Sequence, residues 1–144
     1  MTLDDSAVIA QLTADVKTAW SPKEIHLAAP QVPKTAADLP VANIVAEDVA
    51  IQIAEGAAAV RDARQDWRYR ISVTKARPLS GTLHAAKVTD ANALIQLLTA
   101  NLVRYAGWRR RVTAVEFNEM ETLESVEPVY SVAITFTVEI IGNG

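Results

Sequence analysis

The chain has 144 residues, of which 50% are hydrophobic and 22% charged, with a formal net charge of −3. This size predicts a single domain over residues 1–144 with a core that needs neither disulfides nor metal. The absence of cysteine excludes disulfides, thiolate metal sites and cysteine nucleophiles, and the slight acidity argues against a dedicated nucleic-acid-binding protein.

The first helix is predicted from about Asp4 to Trp20, with Asp4 or Asp5 as its N-cap and apolar residues at three- and four-residue spacing along one side. This segment carries acids where a signal peptide carries bases, and the chain has no apolar run long enough to span a bilayer. We therefore expect that the protein does not associate with a membrane. Because it has no cysteine, we also expect that it is made in a reducing cytoplasm.

Residues 24–29 are predicted to form a short strand, and residues 30–40, with three prolines, a long loop. Residues 41–64 are ambiguous. Their valines and isoleucines favour a strand, whereas the alanines from Ala50 to Ala63 allow a helical turn or two.

Residues 66–76 alternate between apolar and polar side chains, which predicts a half-buried strand. A second loop is expected over 77–87. A second helix follows from about Asp90 to Tyr105, with Thr89 or Asp90 as its cap and Gly107 at its end.

Two further strands are predicted at 110–120 and 129–141. In the last one, Tyr130, Val132, Ile134, Phe136, Val138 and Ile140 form an apolar face, and the polar residues between them form the other. The order of elements predicts an α+β fold: an antiparallel β-sheet with two α-helices packed on one face, a long C-terminal strand and long loops.

The residues that carry enzyme chemistry are sparse. His26 and His84 lie far apart in the sequence and match no metal-binding spacing. The five glycines form no phosphate-binding loop, and Ser80 near His84 lacks the frame of a nucleophile elbow. We therefore expect no catalytic residues, no cofactor and no metal.

One segment, residues 107–128, has an unusual charge pattern. Three consecutive arginines, Arg109, Arg110 and Arg111, are followed by five glutamates with no basic residue among them: Glu116, Glu119, Glu121, Glu124 and Glu127. The glutamates are open to three interpretations: a general acid/base pair, a solvated strand face or the rim of an interface.

A second basic set extends from Arg61 to Arg77 and includes Arg68 and Arg70 on one face of their strand. Aromatic residues beside it make stacking and phosphate contact conceivable. The alternative is a polar strand face whose charge is balanced by carboxylates elsewhere in the chain.

The pattern as a whole resembles the tail terminator proteins of long-tailed phages. The resemblance rests on the N-terminal helix, a Pro-rich loop leading to Asp38–Val41 ("DLPV"), the strand Trp67–Val73 ("WRYRISV"), a helix before Gly107 and the alternating strand Val129–Ile140. It covers most of the chain in the order of its elements. The neck or tail-completion proteins have a similar fold, and a protein of that family is the alternative that the resemblance leaves open.

The resemblance implies a non-catalytic structural protein of the virion tail or neck, assembled in the host cytoplasm. It implies a homohexameric ring that binds the tail-tube protein on one side and the head connector on the other. A sheath protein is a further partner, and DNA passes through the channel without sequence-specific binding.

Such a ring needs head-to-tail contacts between different surfaces of one subunit. We therefore assign Arg109, Arg110, Arg111, Glu119, Glu121 and Glu124 to the subunit interface. The arginines and glutamates are expected on different edges of the subunit, because the arginines begin a strand and the glutamates run to its other end. Arg68 and Arg70 are assigned to the channel or to a partner-facing surface.

Two other classes of function remain open from the sequence. One is a small enzyme or regulatory domain that uses the face from Glu116 to Glu127. The other is a nucleic-acid-binding domain that uses Arg61–Arg77.

Overall fold

The computed structural model describes residues 5–27, 39–53, 63–77, 82–100, 108–121 and 128–141. Within these ranges the chain forms two helices and five strands. In chain order they are α1 (Ser6–Trp20), β1 (Glu24–His26), β2 (Val41–Ile53), β3 (Ala63–Ala76), α2 (Leu83–Ala100), β4 (Trp108–Glu121) and β5 (Pro128–Ile141).

The strands of the described residues form one sheet in the order β1-β2-β3-β5-β4. β2, β3, β5 and β4 are antiparallel to their neighbours, and the short β1 runs parallel to β2. The predicted antiparallel pairing of the three long strands is confirmed, as is the α+β class with two helices and a long C-terminal strand. β1 makes the sheet mixed.

The core lies between the sheet and the helices. Alternate residues of the two central strands are fully buried, among them Tyr69, Ile71 and Val73 on β3. They pack with the apolar side of each helix in one cluster, whose other members include Val8, Leu12, Val16, Trp20, Leu94, Leu98, Val132, Ile134, Phe136 and Val138. The alternation predicted for the last strand is thus confirmed over its described side chains.

The ambiguous segment 41–64 is extended wherever the structure describes it. β2 reaches Ile53 and pairs with β3 without interruption as far as Ala63, apart from one register shift between Ala46 and Asp48. The alternative of a helical turn is therefore wrong for residues 50–53 and 63, because β-branched side chains and a continuous partner strand outweigh the alanines. Residues 54–62 lie outside the described residues.

The second helix begins earlier than predicted, at Leu83 rather than at Asp90. Thr82 precedes it, and its Oγ1 accepts a hydrogen bond of 3.2 Å from the Ala85 amide. Thr82 thus makes the capping contact expected of Thr89 or Asp90, both of which lie inside the helix. The loop predicted over 77–87 is wrong for 83–87, and Tyr105 and Gly107 lie outside the described residues.

The first helix and the first strand are slightly shorter than predicted. α1 begins at Ser6, and Asp5 occupies the N-cap position without a capping hydrogen bond from its side chain. Ser21 ends the helix in the left-handed conformation, with φ of 45°. β1 spans only 24–26 of the predicted 24–29, and most of the predicted loop over 30–40 lies outside the described residues.

The sheet face away from the helices is less exposed than alternation predicts. Polar or small residues on the inner strands are buried there, namely Ser72, Thr74, Ser131, Ala133 and Thr135, together with Asn43 on β2. β3 and β5 have a strand on each side, so side chains of both neighbouring strands flank these short residues on the same face. Thr135, which lies on the polar face predicted for the last strand, is thus a buried position.

These burials predict the outcome of two substitutions on β5. Ile134→Asp places a carboxylate in an apolar layer without a partner and is expected to prevent folding. Thr137→Asp is the matched control: Thr137 is partly exposed and lies opposite Arg68 in the pairing with β3, so this variant should keep the fold. Circular dichroism and urea unfolding test both, and equal loss of structure in the two variants would contradict the assigned register.

Candidate subunit interface

β4 is the long edge strand of the described sheet. It has 14 residues and pairs with β5 on one side only in the described strand order. Its length is roughly 45 Å at about 3.4 Å per residue. An edge strand presents a row of backbone N–H and C=O groups that can pair with another chain, so β4 is a candidate contact between subunits.

The charge pattern of residues 107–128 is spread along this edge. Arg109 lies opposite Glu139 and Arg111 opposite Thr137, whereas Glu119 lies opposite Tyr130 and Glu121 opposite Pro128. The arginines and the glutamates thus lie at the two ends of β4, as their order in the sequence predicts. The expectation that they lie on different edges is wrong, because both sets belong to one edge strand of the sheet. Glu124 lies outside the described residues.

The arginine end of β4 has an acidic residue directly beside it in the same subunit. Arg109 and Glu139 are register partners, and opposite charges at such positions stabilise a sheet by about 0.2–1 kcal/mol. At the other end, Glu119 and Glu121 lie opposite Tyr130 and Pro128, neither of which is basic. The acidic end therefore has no basic register partner on β5.

Arg68 and Arg70 lie on β3, on the sheet face away from the helices. The Nε of Arg68 is 3.3 Å from the Oε2 of Glu47, and the side chains are 48% and 31% exposed. Asp48 lies opposite Arg68 in the pairing with β2. One carboxylate is thus ion-paired with Arg68 and a second acidic residue is its register partner, which lowers the net positive charge available to a phosphate at this position. Arg70 is half-buried.

Asp90, which the sequence marked only as a possible cap, is the centre of a polar cluster. Its Oδ1 accepts a hydrogen bond of 2.8 Å from Lys75 Nζ, and its Oδ2 accepts one from the Tyr130 hydroxyl. Its backbone carbonyl accepts one of 2.8 Å from Trp20 Nε1. The cluster joins α1, α2, β3 and β5. Its members bond to one another, so it links the two helices to the sheet and to each other.

A second hydrogen bond links the start of α1 to the sheet. The Tyr69 hydroxyl donates a hydrogen bond of 2.8 Å to the Asp5 Oδ2. Burial raises the pKa of Tyr69 well above its ordinary value of 10, and the bond to Asp5 and its negative charge raise it further. Burial, then the bond to Asp90 and its charge, raise the pKa of Tyr130 in the same way.

The two histidines lie on different elements. His26 is exposed on β1, with its Nε2 3.0 Å from the Oε2 of Glu24, and His84 is exposed in the first turn of α2. Among the described residues no three His, Asp or Glu side chains form a group that could hold a metal ion. No described helix is both long and apolar enough to cross a membrane. Ser80 lies outside the described residues.

Comparison with known proteins gives a likeness in structure. No protein-family model matches the chain, and no curated protein does. Among solved structures, the chain is similar over its whole length to the sheath/tube terminator of an extracellular contractile injection system, called PVC, in its extended state. The TM-score is 0.50 and the sequence identity 14%.

The chain has a terminator-like fold. It spans 59% of the length of that terminator subunit, and at this level of identity the likeness concerns the fold. The fold expected from the resemblance to phage tail terminators is thereby supported at a coarse level.

The raised tyrosine pKa values predict a loss of stability in alkali. Both hydroxyls stay protonated in the folded protein above pH 10, the ordinary pKa, while in the unfolded chain they ionise. The stability they contribute is therefore complete below about pH 10 and is lost as the pH rises above it. Tyr69→Phe and Tyr130→Phe should each reduce the fall in unfolding free energy between about pH 8 and about pH 11.

Urea unfolding at the two pH values tests this prediction. At about pH 8 each variant should be less stable by about 1.5–3 kcal/mol, because a carboxylate loses a hydrogen-bond donor. Thr99→Val is the control, since the Thr99 hydroxyl is exposed and bonds to carbonyls of its own helix and does not titrate. A pH dependence unchanged in both phenylalanine variants would contradict the prediction.

Proposed function

We propose that this protein is a structural subunit that ends a tail tube as a ring and offers the surface to which the next component of the particle attaches. The observation that carries the proposal is the likeness of the whole chain to a sheath/tube terminator. In the full form of the proposal the ring is a homohexamer in the tail or neck of a virion, assembled in the host cytoplasm, and the protein has no catalytic role.

The proposed partners follow from this position. The tail-tube protein binds one side of the ring and the head connector the other, with a sheath protein as a further partner where the tail contracts. DNA passes through the central channel without sequence-specific contacts. Arg68 and Arg70 are assigned to the channel or to a partner-facing surface, where the ion pair between Arg68 and Glu47 leaves little net positive charge to hold phosphate.

The shape and charge of β4 support self-association. A long edge strand presents backbone groups that can pair with another chain, and β4 extends for 14 residues. Arg109–Arg111 and the glutamates Glu119, Glu121 and Glu124 are proposed to lie at contacts between subunits, each set facing oppositely charged groups of a neighbouring copy. Complementary charges favour the correct register and disfavour wrong partners.

Sedimentation velocity and light scattering over a range of concentrations test the ring. The expected result is a single closed species, with a mass that is an integer multiple of the 15.6 kDa subunit, in exchange with monomer. Exposed ion pairs are worth about 0–1 kcal/mol each and are screened over about 3 Å in 1 M salt, so high salt should shift the protein toward monomer. A monomer at every concentration, with or without tube protein, would contradict the proposed function.

A charge reversal at the acidic end of β4 tests which charges matter. Glu119→Lys combined with Glu121→Lys is expected to keep the circular dichroism spectrum and to weaken self-association at least several-fold. The control adds the same four units of positive charge at exposed positions on α2, as Thr89→Lys, Asn92→Lys, Gln96→Lys and Thr99→Lys together, and should leave association nearly unchanged. Equal weakening by both variants would point to net charge rather than to a contact at β4.

A further inference from the structure

The described sheet has two different edges. β1 forms one edge with three residues, and β4 forms the other with fourteen. A head-to-tail assembly joins one surface of a subunit to a different surface of the next. The two edges of this sheet are two different surfaces of that kind. The edge at β1 lies beside a groove that contains lysines.

A groove runs between α1 and β1. Thr13 and Lys17 of α1 line one side, and Pro22, Lys23, Ile25 and Leu27 line the other. Leu27 is 62% exposed, whereas Ile25 is half-buried and packs against the core. The groove thus combines an apolar floor with two lysines. We call it the α1–β1 groove.

The acidic residue in the groove is engaged locally. Glu24 lies on β1, and its Oε2 is 3.0 Å from the Nε2 of His26 on the same strand. The backbone amide of Lys23 donates a hydrogen bond of 2.8 Å to the Pro40 carbonyl, which fixes the start of β1 against β2. The position of Lys23 at the edge of the sheet is therefore set by the backbone.

An extended acidic segment with apolar residues fits such a groove. Its backbone can pair with an edge strand, its apolar side chains can cover Leu27, and its carboxylates can approach Lys17 and Lys23. Of the two edge strands of the described sheet, β4 has this composition: its last half carries Glu116, Glu119 and Glu121 beside Phe117 and Met120, and no basic residue.

The arginines and the glutamates both lie on β4, and this limits which contacts between copies can build a ring. If β4 pairs antiparallel with β4 of a second copy, the arginine end of each strand meets the glutamate end of the other. That contact is isologous and has a twofold axis, so it gives a closed dimer. A ring with more subunits needs a different basic surface for the glutamates, and the α1–β1 groove lies at the opposite edge of the same sheet.

We propose that the glutamate end of β4, around Glu119 and Glu121, docks in the α1–β1 groove of the next copy, so that the sheets of neighbouring subunits join edge to edge. The proposal rests on the proposed ring function and names the contact that builds the ring. β1 supplies only a few backbone hydrogen bonds, and each exposed ion pair adds little. A single contact is therefore weak, and the assembly gains its stability when the ring closes.

Disulfide trapping tests this contact directly, because the natural chain has no cysteine. One variant carries Leu27→Cys in the groove and a second carries Glu121→Cys at the end of β4. Mixed under mild oxidation, they should give a cross-linked heterodimer in at least several-fold excess over the control mixture. The control pairs Thr99→Cys, exposed on α2, with Glu121→Cys.

Charge reversal in the same assay tests the role of the lysines. Adding Lys17→Glu and Lys23→Glu to the Leu27→Cys chain should reduce the heterodimer several-fold, and adding Glu119→Lys to the partner chain should restore part of it. Lys17→Arg with Lys23→Arg keeps the charge and should have little effect. No loss on charge reversal would overturn the assignment of the lysines to this contact.

The remaining outcomes of the cross-linking experiment distinguish failure of the proposed groove contact from failure of the proposed ring function. If Arg110→Cys cross-links to Glu119→Cys while the groove pair does not, the β4 edges meet each other and the proposed contact is wrong. If a ring forms and neither pair cross-links, the contact is also wrong while the ring function stands. If the protein stays monomeric and no pair cross-links, the ring function itself fails.

Discussion

The packing of two helices on the central strands β3 and β5 is the constraint on which the rest of the structure depends. Tyr69, Ile71 and Val73 on one strand and Val132, Ile134 and Phe136 on the other form a continuous apolar layer beneath α1 and α2. Burying such a layer stabilises the fold by roughly 1.5–3 kcal/mol per large side chain. The register between the two strands is fixed by this face, since a shift by one residue would turn every apolar side chain away from the helices.

The two hydrogen-bonded tyrosines lie within the same layer and determine how the helices attach to it. Tyr69 binds Asp5 at the start of α1, and Tyr130 binds Asp90 within α2. Each bond joins a strand to one helix at a defined point. With the helical layer fixed on β3 and β5, the flanking strands β1 and β4 are left at the two edges, where they are available for contacts with other subunits.

The elements with strong periodicity were predictable from the sequence. The alternation from Tyr130 to Val138 indicated both the strand and its buried face, and the three antiparallel strands followed from their lengths and order. The start of α2 was missed because residues 77–87 were predicted as a single loop, whereas Thr82 and the alanines after it already favour a helix. The continuation of β2 to Ile53 depends on its partner strand, which local propensity does not represent.

The candidate site was predictable in part. The charges of residues 109–121 and their separation along one strand could be read from the sequence, but the position of that strand at the edge of the sheet depends on the chain topology. Asp90 was noted only as a cap, because its bonds to Lys75 and Tyr130 join residues far apart in the chain. The α1–β1 groove could not be predicted from a sequence motif either, because the packing of α1 beside β1 brings its lining residues together.

The central claim is that the protein occupies the end of a tube as a ring. Electron microscopy of gold-labelled protein tests it most directly. The Thr99→Cys variant gives the cysteine-free chain a single exposed site for the label, and it is mixed with the tube protein encoded by the same genome. The account predicts label at one end of each tube, arranged as a ring, and no further growth from that end. Label spread along the tube wall, or absent from tubes that still form, would contradict it.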